Sequence, residues 1–378
     1  MKLHLMSTAR GVSTIAIAAL FAACVGDESV APTVRPMSPD APSLASIDQG
    51  TETGTYLVKM RAASGLAAAR ASLASVGATV TREIGPVNLL YVEGLSDADA
   101  ATLAADPGVT VIKDRLMRWI PDATAMRPTF VSHTGGPSAT GTDQSSAQFY
   151  GPYQWSLKVT KADQAWTPSN GGAGETVCVL DSGVDPGHLD LNGTVDPTKN
   201  VSAILTPRFP SDVTALDYHF HGTFVSAQIR SNGIAMASVA PDATLCSIKV
   251  LSEDGFGAWG DIIFGIYLAA ISNVDVINMS LGGYADETDP ANAGLLALMQ
   301  EVIDGARKRG TVVVAASGND GYNMGDIREL FGFIHVPSMM NGVISVGATG
   351  PFNQQNFDRV TAYSNFGYNG GVDLVAPG

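Results

Sequence analysis

The sequence feature that most constrains the fold is an apolar stretch that ends abruptly in a carboxylate. Residues Val177 to Leu180 are apolar, and Asp181, Ser182 and Gly183 follow them directly. A short run of β-branched and other apolar residues is typical of a buried central strand in a parallel sheet. Ligands and catalytic groups in such sheets gather beyond the carboxyl ends of the strands. The stretch therefore predicts a buried strand that delivers Asp181 to a functional edge of the sheet.

The chain from residue 150 onward alternates between predicted strands and helices. Strands are predicted at Thr176–Leu180, Ala243–Val250, Val274–Met279, Thr311–Ala316 and Val343–Val346. Helices are predicted directly after His221, from Asp261 to about Ser272 and from Ala291 to Arg309. Alternation of this kind indicates an α/β fold in which helices cover both faces of a parallel sheet.

Three polar segments follow three of these strands. They are Asp181 with its Ser-Gly turn, Ser280-Leu281-Gly282-Gly283, and Ser317-Gly318-Asn319-Asp320. Asp, Asn, Ser and Gly are also the usual turn residues, so each segment taken singly has a purely structural explanation. Their common position at the carboxyl ends of parallel strands predicts that they share one edge of the sheet.

A histidine pair lies where a polar stretch turns into an apolar helical run, in the segment Asp217 to Thr223. Paired with Asp181, His221 is a candidate general base whose tautomer the carboxylate would fix. A structural histidine at a helix start is the alternative. His219 and His221 also form a His-x-His pair of the kind that binds metals, but no further acidic or histidine cluster in the sequence completes a metal shell.

Length and charge limit the classes of function. A chain of 378 residues with 45% hydrophobic residues is long for one domain and predicts two folded units. The formal net charge of -14 argues against a surface for nucleic acid or anionic lipid, because such a chain cannot neutralise phosphates in bulk. We expect no nucleic-acid partner.

The first 23 residues have the pattern of a secretory signal. Lys2 and Arg10 precede an apolar run from Gly11 to Ala23, which is too short to span a bilayer. The small residues before Cys24 resemble the cleavage box of bacterial lipoproteins. We therefore expect export to the bacterial cell envelope, with a lipid on Cys24 as the one link to a membrane; plain secretion is the alternative. Residues 24–53 are rich in Pro, Ser, Ala and Asp and predict a disordered linker.

The two other cysteines, Cys178 and Cys246, lie in apolar strand-like runs. An exported protein could join them in a disulfide. Because side chains on central parallel strands rarely meet disulfide geometry, we expect two buried thiols instead.

Residues 54–121 predict a small separate domain. Their pattern gives the order β-α-β-β-α-β, the split βαβ arrangement of ferredoxin-like α+β domains. Residues 122–149 have no periodicity and predict an exposed linker that is open to proteolytic cleavage. The second domain then covers residues 150–378.

Five segments of this second domain resemble, in order and spacing, the signature blocks of subtilases, the subtilisin-like serine peptidases. They are Val179–Val184, His221–Thr223, Asn278–Gly283, Ala315–Asp320 and Val372–Gly378. The resemblance implies a three-layer parallel-sheet fold and a serine endopeptidase. It implies that Asp181 is the triad carboxylate, His221 the general base and Asn319 the side-chain donor of the oxyanion hole.

The same resemblance implies a cleft that binds a protein or peptide substrate in extended form by edge pairing. Its backbone walls would be Ser280, Leu281 and Gly282 on one side and Ala315, Ala316 and Ser317 on the other. These small residues predict a roomy, apolar specificity pocket. The resemblance implies no required cofactor.

The domain at residues 54–121 resembles the inhibitory propeptide that precedes many subtilases. That likeness implies an intramolecular inhibitor that is removed by cleavage within residues 122–149. Asp190 and Asn232 lie where family members hold a structural calcium ion, and both supply oxygen ligands. Ordinary turn residues are the alternative explanation at both positions.

The sequence departs from the family pattern in two places. Phe224 stands where subtilases usually have a histidine after Gly-Thr. In the family, the block ending in Gly378 is followed by Gly-Thr-Ser-Met, whose serine is the nucleophile, and the sequence ends before it. Other family blocks account for Ser182, Ser280, Ser317 and Ser364. We therefore expect a peptidase domain truncated before its nucleophile and inactive as it stands; a non-catalytic peptide-binding protein or a propeptide-type inhibitor is the alternative.

Overall fold

A computed structural model of the chain describes residues 50–121, 143–205, 214–352, 356–367 and 371–378. The predicted signal sequence, Cys24, most of the residue 24–53 linker and most of the residue 122–149 linker lie outside these ranges. In the part of the chain that is described, no helix is long and apolar enough to cross a membrane.

The N-terminal domain has the predicted order of elements. These are β1 (Thr51–Met60), α1 (Leu66–Ser75), β2 (Thr79–Ile84), β3 (Leu89–Glu93), α2 (Asp97–Ala104) and β4 (Val109–Arg118). The strands pair antiparallel in the order β2-β3-β1-β4. Ser96 begins α2 because its side chain accepts a hydrogen bond from the backbone N–H of Asp99. The prediction β-α-β-β-α-β is confirmed.

The second domain contains the remaining elements. These are α3 (Trp155–Val159), α4 (Ala162–Ala165), β5 (Thr176–Asp181), β6 (Val195–Ser202), α5 (His221–Ile229), β7 (Thr244–Lys249), β8 (Phe256–Ala258), α6 (Trp259–Ile271), β9 (Val276–Met279), β10 (Gly283–Asp286), α7 (Pro290–Lys308), β11 (Val312–Ala316), α8 (Met324–Phe331), β12 (Phe333–Val336), β13 (Ile344–Phe352), β14 (Asn356–Val360) and β15 (Leu374–Pro377). All five predicted strands and all three predicted helices occur, with ends that differ from the predicted ones.

The main sheet has the strand order β14-β13-β11-β9-β5-β7-β6, and β15 pairs with β13. Its neighbours are parallel except for β14, which is antiparallel to β13. Side chains of β5 alternate between the two faces, as strand geometry requires. Leu180 packs in the core with α6 and α7, whereas Val179 packs in a second cluster with Ala227 of α5. Helices therefore cover both faces, as the alternating pattern predicts.

Helix α7 shows how the sequence sets an element's ends. Asp289 accepts a hydrogen bond from the Ala291 N–H, and Pro290 occupies the first turn. Arg307 and Lys308 lie in the last turn, where positive charges interact favourably with the negative end of the helix dipole. The buried face of the helix then completes the core beside α6.

The two domains share a sheet, and the strands of the N-terminal domain extend beyond the ends predicted from sequence. The first strand begins at Thr51 rather than at residue 54, and β4 extends to Arg118 where the sequence predicted a strand ending near Ile112. The end of β4 pairs antiparallel with β8, which belongs to the second domain. The packed part of the second domain also begins before residue 150, because Gln144 is buried and hydrogen bonded to Ser238.

The prediction of two free thiols is wrong. Cys178 and Cys246 form a disulfide, with their Cα atoms 4.2 Å apart. They are direct partners in the register of β5 and β7 and lie on the face that α6 covers. Neighbouring strands in register bring two side chains of one face together, which the prediction from strand type alone did not consider.

Candidate active site

Asp181 and His221 meet at the edge of the main sheet. Asp181 is the last residue of β5 and is 1% exposed, and His221 is the first residue of α5. Nδ1 of His221 lies 2.9 Å from both carboxylate oxygens of Asp181. The contact directs the Nδ1 proton to the carboxylate and leaves Nε2, which has no hydrogen-bond partner among the described residues, as the reactive nitrogen.

A glycine allows this contact. A Cβ atom at Gly222 would overlap the carbonyl oxygen of Gly183, and Asp181 lies next to it. Only a residue without a side chain lets the first turn of α5 approach the end of β5 so closely. The Gly that follows His221 is therefore a steric requirement of the pair.

Asp217, for which the sequence pattern predicts no role, holds the loop before His221. It is fully buried, and its carboxylate accepts hydrogen bonds from the backbone N–H groups of His219, Phe220 and Thr223 and from the Ser182 hydroxyl. Buried carboxylates with several such donors are strongly held in place. An aspartate four residues before a candidate catalytic histidine at a helix start is the signal that could have pointed to it.

The charge of Asp181 raises the proton affinity of His221. Burial alone would lower the pKa of His221, but the negative charge of Asp181 and its hydrogen bond outweigh burial and leave that pKa raised. A carboxylate partner of this kind stabilises the imidazolium that forms when the histidine takes a proton. The pair can therefore act as a general base at the sheet edge.

The predicted walls lie at the same edge. Strands β5, β9 and β11 are successive neighbours, so the residues after β9 lie beside Asp181 and those at the end of β11 lie one strand further along the same edge. The first wall, which follows β9, is Ser280, Leu281 and Gly282; the second, at the end of β11, is Ala315, Ala316 and Ser317.

Asn319 lies in the loop after β11 and is exposed. Its amide has no hydrogen-bond partner among the described residues, so it is free to donate.

A segment of the N-terminal domain lies between the backbone at Gly255 and the first wall, and the space that it occupies is here called the cleft. Leu116 to Arg118 pair with β8, and the Trp119 N–H donates to the Gly255 carbonyl at 3.0 Å. The Trp119 carbonyl accepts from the N–H of Gly282, a predicted wall residue. Nε2 of His219 lies 3.1 Å from the carbonyl oxygen of Pro121. Residues 116–121, here called the cleft segment, are thus held by backbone hydrogen bonds between β8 with Gly255 on one side and Gly282 of the first wall on the other.

The side chain of Trp119 anchors the cleft segment. It is 3% exposed, packs edge-to-face on Trp259 with ring centroids 5.5 Å apart, and donates through Nε1 to the Gly257 carbonyl. Aromatic pairs in this geometry are favourable beyond their buried area. The Trp119 side chain is therefore buried in an apolar contact with the second domain.

The predicted roomy pocket contains a histidine that sequence reasoning missed. His335 of β12 is 3% exposed, and a Cβ atom added at either Gly282 or Gly318 would clash with its ring. Its Nδ1 lies 2.8 Å from the Ser338 hydroxyl. Burial lowers the pKa of His335 to about 4. The space between the walls is therefore bounded by a neutral imidazole, and small residues alone do not line it. No local sequence signal marks His335, because its position depends on the β10–β12 pairing.

The serines near the cleft have other partners. Ser182 donates to Asp217, Ser317 and Ser364 donate to the Asn365 carbonyl, and the Ser280 hydroxyl accepts from Asn278. Among the described residues, no serine is hydrogen bonded to His221.

The contacts of Asp190 and Asn232 do not fit a calcium ion. The structure brings the two residues together, since the Asn232 N–H donates to the Asp190 carbonyl at 2.7 Å. However, the Asp190 carboxylate accepts from the backbone N–H groups of residues 234–236, and the Asn232 side chain donates to the Asn192 carbonyl. N–H donors therefore surround the carboxylate where a cation would need oxygen ligands. Among the described residues, no group of three or more His, Cys, Asp or Glu side chains could hold a metal.

Known proteins resemble this chain in sequence and in structure. Residues 172–378, more than half of the chain, match the Subtilase family. The thermophilic serine proteinase of Bacillus sp. (strain AK1) is 33% identical over 61% of this chain and 50% of its own length. The major intracellular serine protease of Bacillus subtilis (strain 168) is 35% identical over 59% of this chain and 63% of its own length. The chain thus spans only half to somewhat less than two thirds of these relatives.

Among solved structures, the epidermin leader peptide processing serine protease from Staphylococcus aureus has a TM-score of 0.64. It is 20% identical and covers 87% of this chain and 75% of its own, which shows a shared fold. That share is larger than the subtilase match alone, so the likeness in fold extends into the N-terminal part of the chain.

Proposed function

Because this chain belongs to the subtilase family, we propose that it is the precursor of an exported serine endopeptidase. The observation that carries the proposal is the pair formed by Asp181 and His221, with Nε2 of the histidine unpartnered among the described residues. In this proposal the nucleophilic serine comes from a longer form of the protein, in the block that follows Gly378 in the family. Peptide-bond hydrolysis then needs Asp181, His221 and that serine together.

In the proposed mechanism, His221 takes the proton of the serine hydroxyl through Nε2 as the serine attacks the peptide carbonyl. Asp181 keeps the Nδ1 proton in place and stabilises the imidazolium. The amide of Asn319 donates to the oxyanion that develops on the carbonyl oxygen. His221 then returns the proton to the leaving amine, and a water molecule releases the acyl group by the same steps.

The N-terminal domain acts, in this proposal, as an intramolecular inhibitor. Support comes from the cleft segment, whose Trp119 donates its N–H to the Gly255 carbonyl and accepts at its carbonyl from the Gly282 N–H, as a bound extended substrate would. Support also comes from the surrounding interface. Arg82 pairs with the buried Asp261 at 3.3 Å, and the Tyr91 hydroxyl donates to the Gly260 carbonyl. Cleavage within residues 122–149 would free the cleft.

The proposed substrate is a protein or peptide bound in extended form. The aromatic subsite filled by Trp119 favours a large apolar side chain there, because burial of such a side chain is the main favourable term. No cofactor takes part in the proposed steps, and calcium is left out because of the contacts of Asp190.

Export is also part of the proposal. The disulfide between Cys178 and Cys246 supports it, since such bonds persist in oxidising compartments and are rare in the cytosol. A signal peptide at residues 1–23 and a lipid on Cys24 complete this part of the proposal; both lie outside the described residues.

The experiment is an assay of peptide-bond hydrolysis by a longer gene product that includes the coding sequence after Gly378. We expect hydrolysis of a denatured protein, and a loss of at least about a hundredfold in kcat/KM for His221→Ala, because the general base is removed. His188→Ala is the matched control and should retain activity, since the hydrogen bonds of His188 among the described residues are with its own loop and none is with Asp181, His221 or the cleft segment. Equal activity in wild type and His221→Ala would overturn the proposal.

A non-catalytic peptide-binding protein or propeptide-type inhibitor is the second candidate. It is favoured by one observation: no serine among the described residues contacts His221. A longer gene product that binds an extended peptide in the cleft without hydrolysing it would support this candidate.

A further inference from the structure

His219 lies at the point of the cleft where strand pairing ends. The cleft segment pairs with β8 as far as Arg118, and Trp119 makes one backbone hydrogen bond to Gly255 and one to Gly282. Two residues later, Pro121 has no backbone N–H to donate. Its carbonyl oxygen lies 3.1 Å from Nε2 of His219. The histidine side chain thus makes a backbone contact where strand pairing has stopped.

The contact determines the protonation of His219. A carbonyl oxygen can only accept, so Nε2 must carry the hydrogen. Nδ1 is buried and has no hydrogen-bond partner among the described residues. A second proton there would place a charge in a side chain that is only 2% exposed, with the ring of His221 6.1 Å away. Burial, as the largest cause, lowers the pKa of His219. The ring is therefore a neutral Nε2–H donor.

The backbone around His219 holds this ring in place. The N–H groups of His219 and Phe220 both donate to Asp217 at 2.9 Å. Phe220 has a left-handed φ of 89°, which a non-glycine residue adopts only when its surroundings impose it. The His219 ring stacks on the Phe220 ring with centroids 5.2 Å apart. The loop that presents His221 thus also orients a second histidine towards the bound chain.

We propose that His219 is a peptide-binding residue of the cleft, which donates its Nε2–H to a backbone carbonyl of the bound chain. The inference rests on the proposed function, which it deepens by adding a residue that recognises substrate. At the position of Pro121 the cleft contacts the backbone carbonyl of the bound chain, and it receives no hydrogen bond from a backbone N–H there. Peptides with proline at this position are therefore accepted.

Hydrogen exchange on the full chain tests the proposal. The amides of Trp119 and Gly282 are protected only while the cleft segment is bound. His219→Phe keeps a ring that can stack on Phe220 but removes the donor, and we expect it to speed exchange of both amides about five- to tenfold, as for one lost hydrogen bond. His219→Gln keeps an N–H donor and should stay near wild type. Unchanged exchange in His219→Phe would overturn the proposal.

Amides within the β1–β3 pairing serve as the internal control, because they do not depend on the cleft. A second measurement keeps the test independent of variant folding: the ¹⁵N imidazole spectrum of the wild-type chain at pH 7. We expect a neutral Nε2–H tautomer for His219; an Nδ1–H tautomer would overturn the proposal. Neither readout needs a nucleophilic serine, so failure of the proposed peptidase activity would be distinguishable from failure here.

Discussion

Replacing Trp119 by alanine should release the cleft segment without unfolding either domain. The side chain is 3% exposed, packs on Trp259 and donates to the Gly257 carbonyl. Truncating a buried aromatic of this kind costs about 3 to 5 kcal/mol, and the lost hydrogen bond and aromatic contact are part of that cost. Because Trp119 lies beyond the end of β4 and contacts the second domain, the loss weakens binding of the segment more than the N-terminal core.

Native-state hydrogen exchange measures this loss. Since about 1.4 kcal/mol corresponds to a factor of ten, exchange at the Trp119-to-Gly282 contact should rise by about a hundredfold to a few thousandfold. Trp166→Ala is a matched control. Trp166 is also 3% exposed and donates through Nε1 to a backbone carbonyl, that of Ser238, but it lies outside the cleft.

We expect Trp166→Ala to lower the free energy of unfolding by a comparable amount and to leave exchange at the Gly282 amide unchanged. Two results would refute the reasoning. One is protection at Gly282 that survives in Trp119→Ala. The other is an equal rise in exchange at amides of the β1–β3 pairing, because the segment would then not open separately from the domain.

Three further predictions concern protonation and the disulfide. In an NMR titration His221 should titrate above its usual pKa, and Asp181→Asn should lower that pKa, because only the charge of Asp217 then opposes the effect of burial. An unchanged pKa in the variant would show that the Asp181 carboxylate does not control the protonation of His221. The pKa of His335 is lowered from 6.5 to about 4, so the free energy of unfolding should fall by roughly 3 kcal/mol as the pH falls through this range. Urea unfolding at pH 7 and pH 4 should show a smaller fall in His335→Gln. An identical pH dependence in the variant would contradict this prediction. The disulfide joins residues separated by 68 positions, and closing a loop of that length in the unfolded chain stabilises the folded state by about 4 kcal/mol. The double variant Cys178→Ala, Cys246→Ala should therefore have a free energy of unfolding lower by about that amount. An unchanged urea midpoint would contradict this prediction.

The parts of the fold that could be predicted from sequence are those whose signal is local. The strand ending at Asp181 is an uninterrupted apolar run, and the helix at Pro290–Lys308 has a capping aspartate and basic residues in its last turn. The meeting of Asp181 and His221 was also predictable, because helices in an alternating β and α pattern begin at the edge where the parallel strands end.

The parts that could not be predicted depend on pairing between distant segments. The Cys178–Cys246 bond requires the register of β5 against β7, and the contact of His335 with Gly282 requires the pairing of β10 with β12. The pairing of β4 with β8 likewise has no local sequence signal, because the pattern at Leu116 to Arg118 indicates only the end of a small domain. In each case, residues far apart in sequence determine the environment.

Asp190 illustrates a different limit. Its residue type and position suit a calcium ligand, but the orientation of the neighbouring backbone decides whether oxygens or N–H groups face it. The N–H groups of residues 234–236 face its carboxylate. Sequence specifies the carboxylate and leaves the direction of the surrounding peptide groups open.

The most direct test of the central claim is labelling with a serine-reactive fluorophosphonate, followed by mass-spectrometric mapping of the modified residue. The sample is the mature form of a gene product that extends beyond Gly378. We predict one labelled serine in the segment after Gly378, and loss of the label in His221→Ala, because the serine then has no base. Labelling of a serine within residues 50–378, or labelling that persists without His221, would contradict the proposal that Asp181 and His221 activate a serine supplied from beyond Gly378.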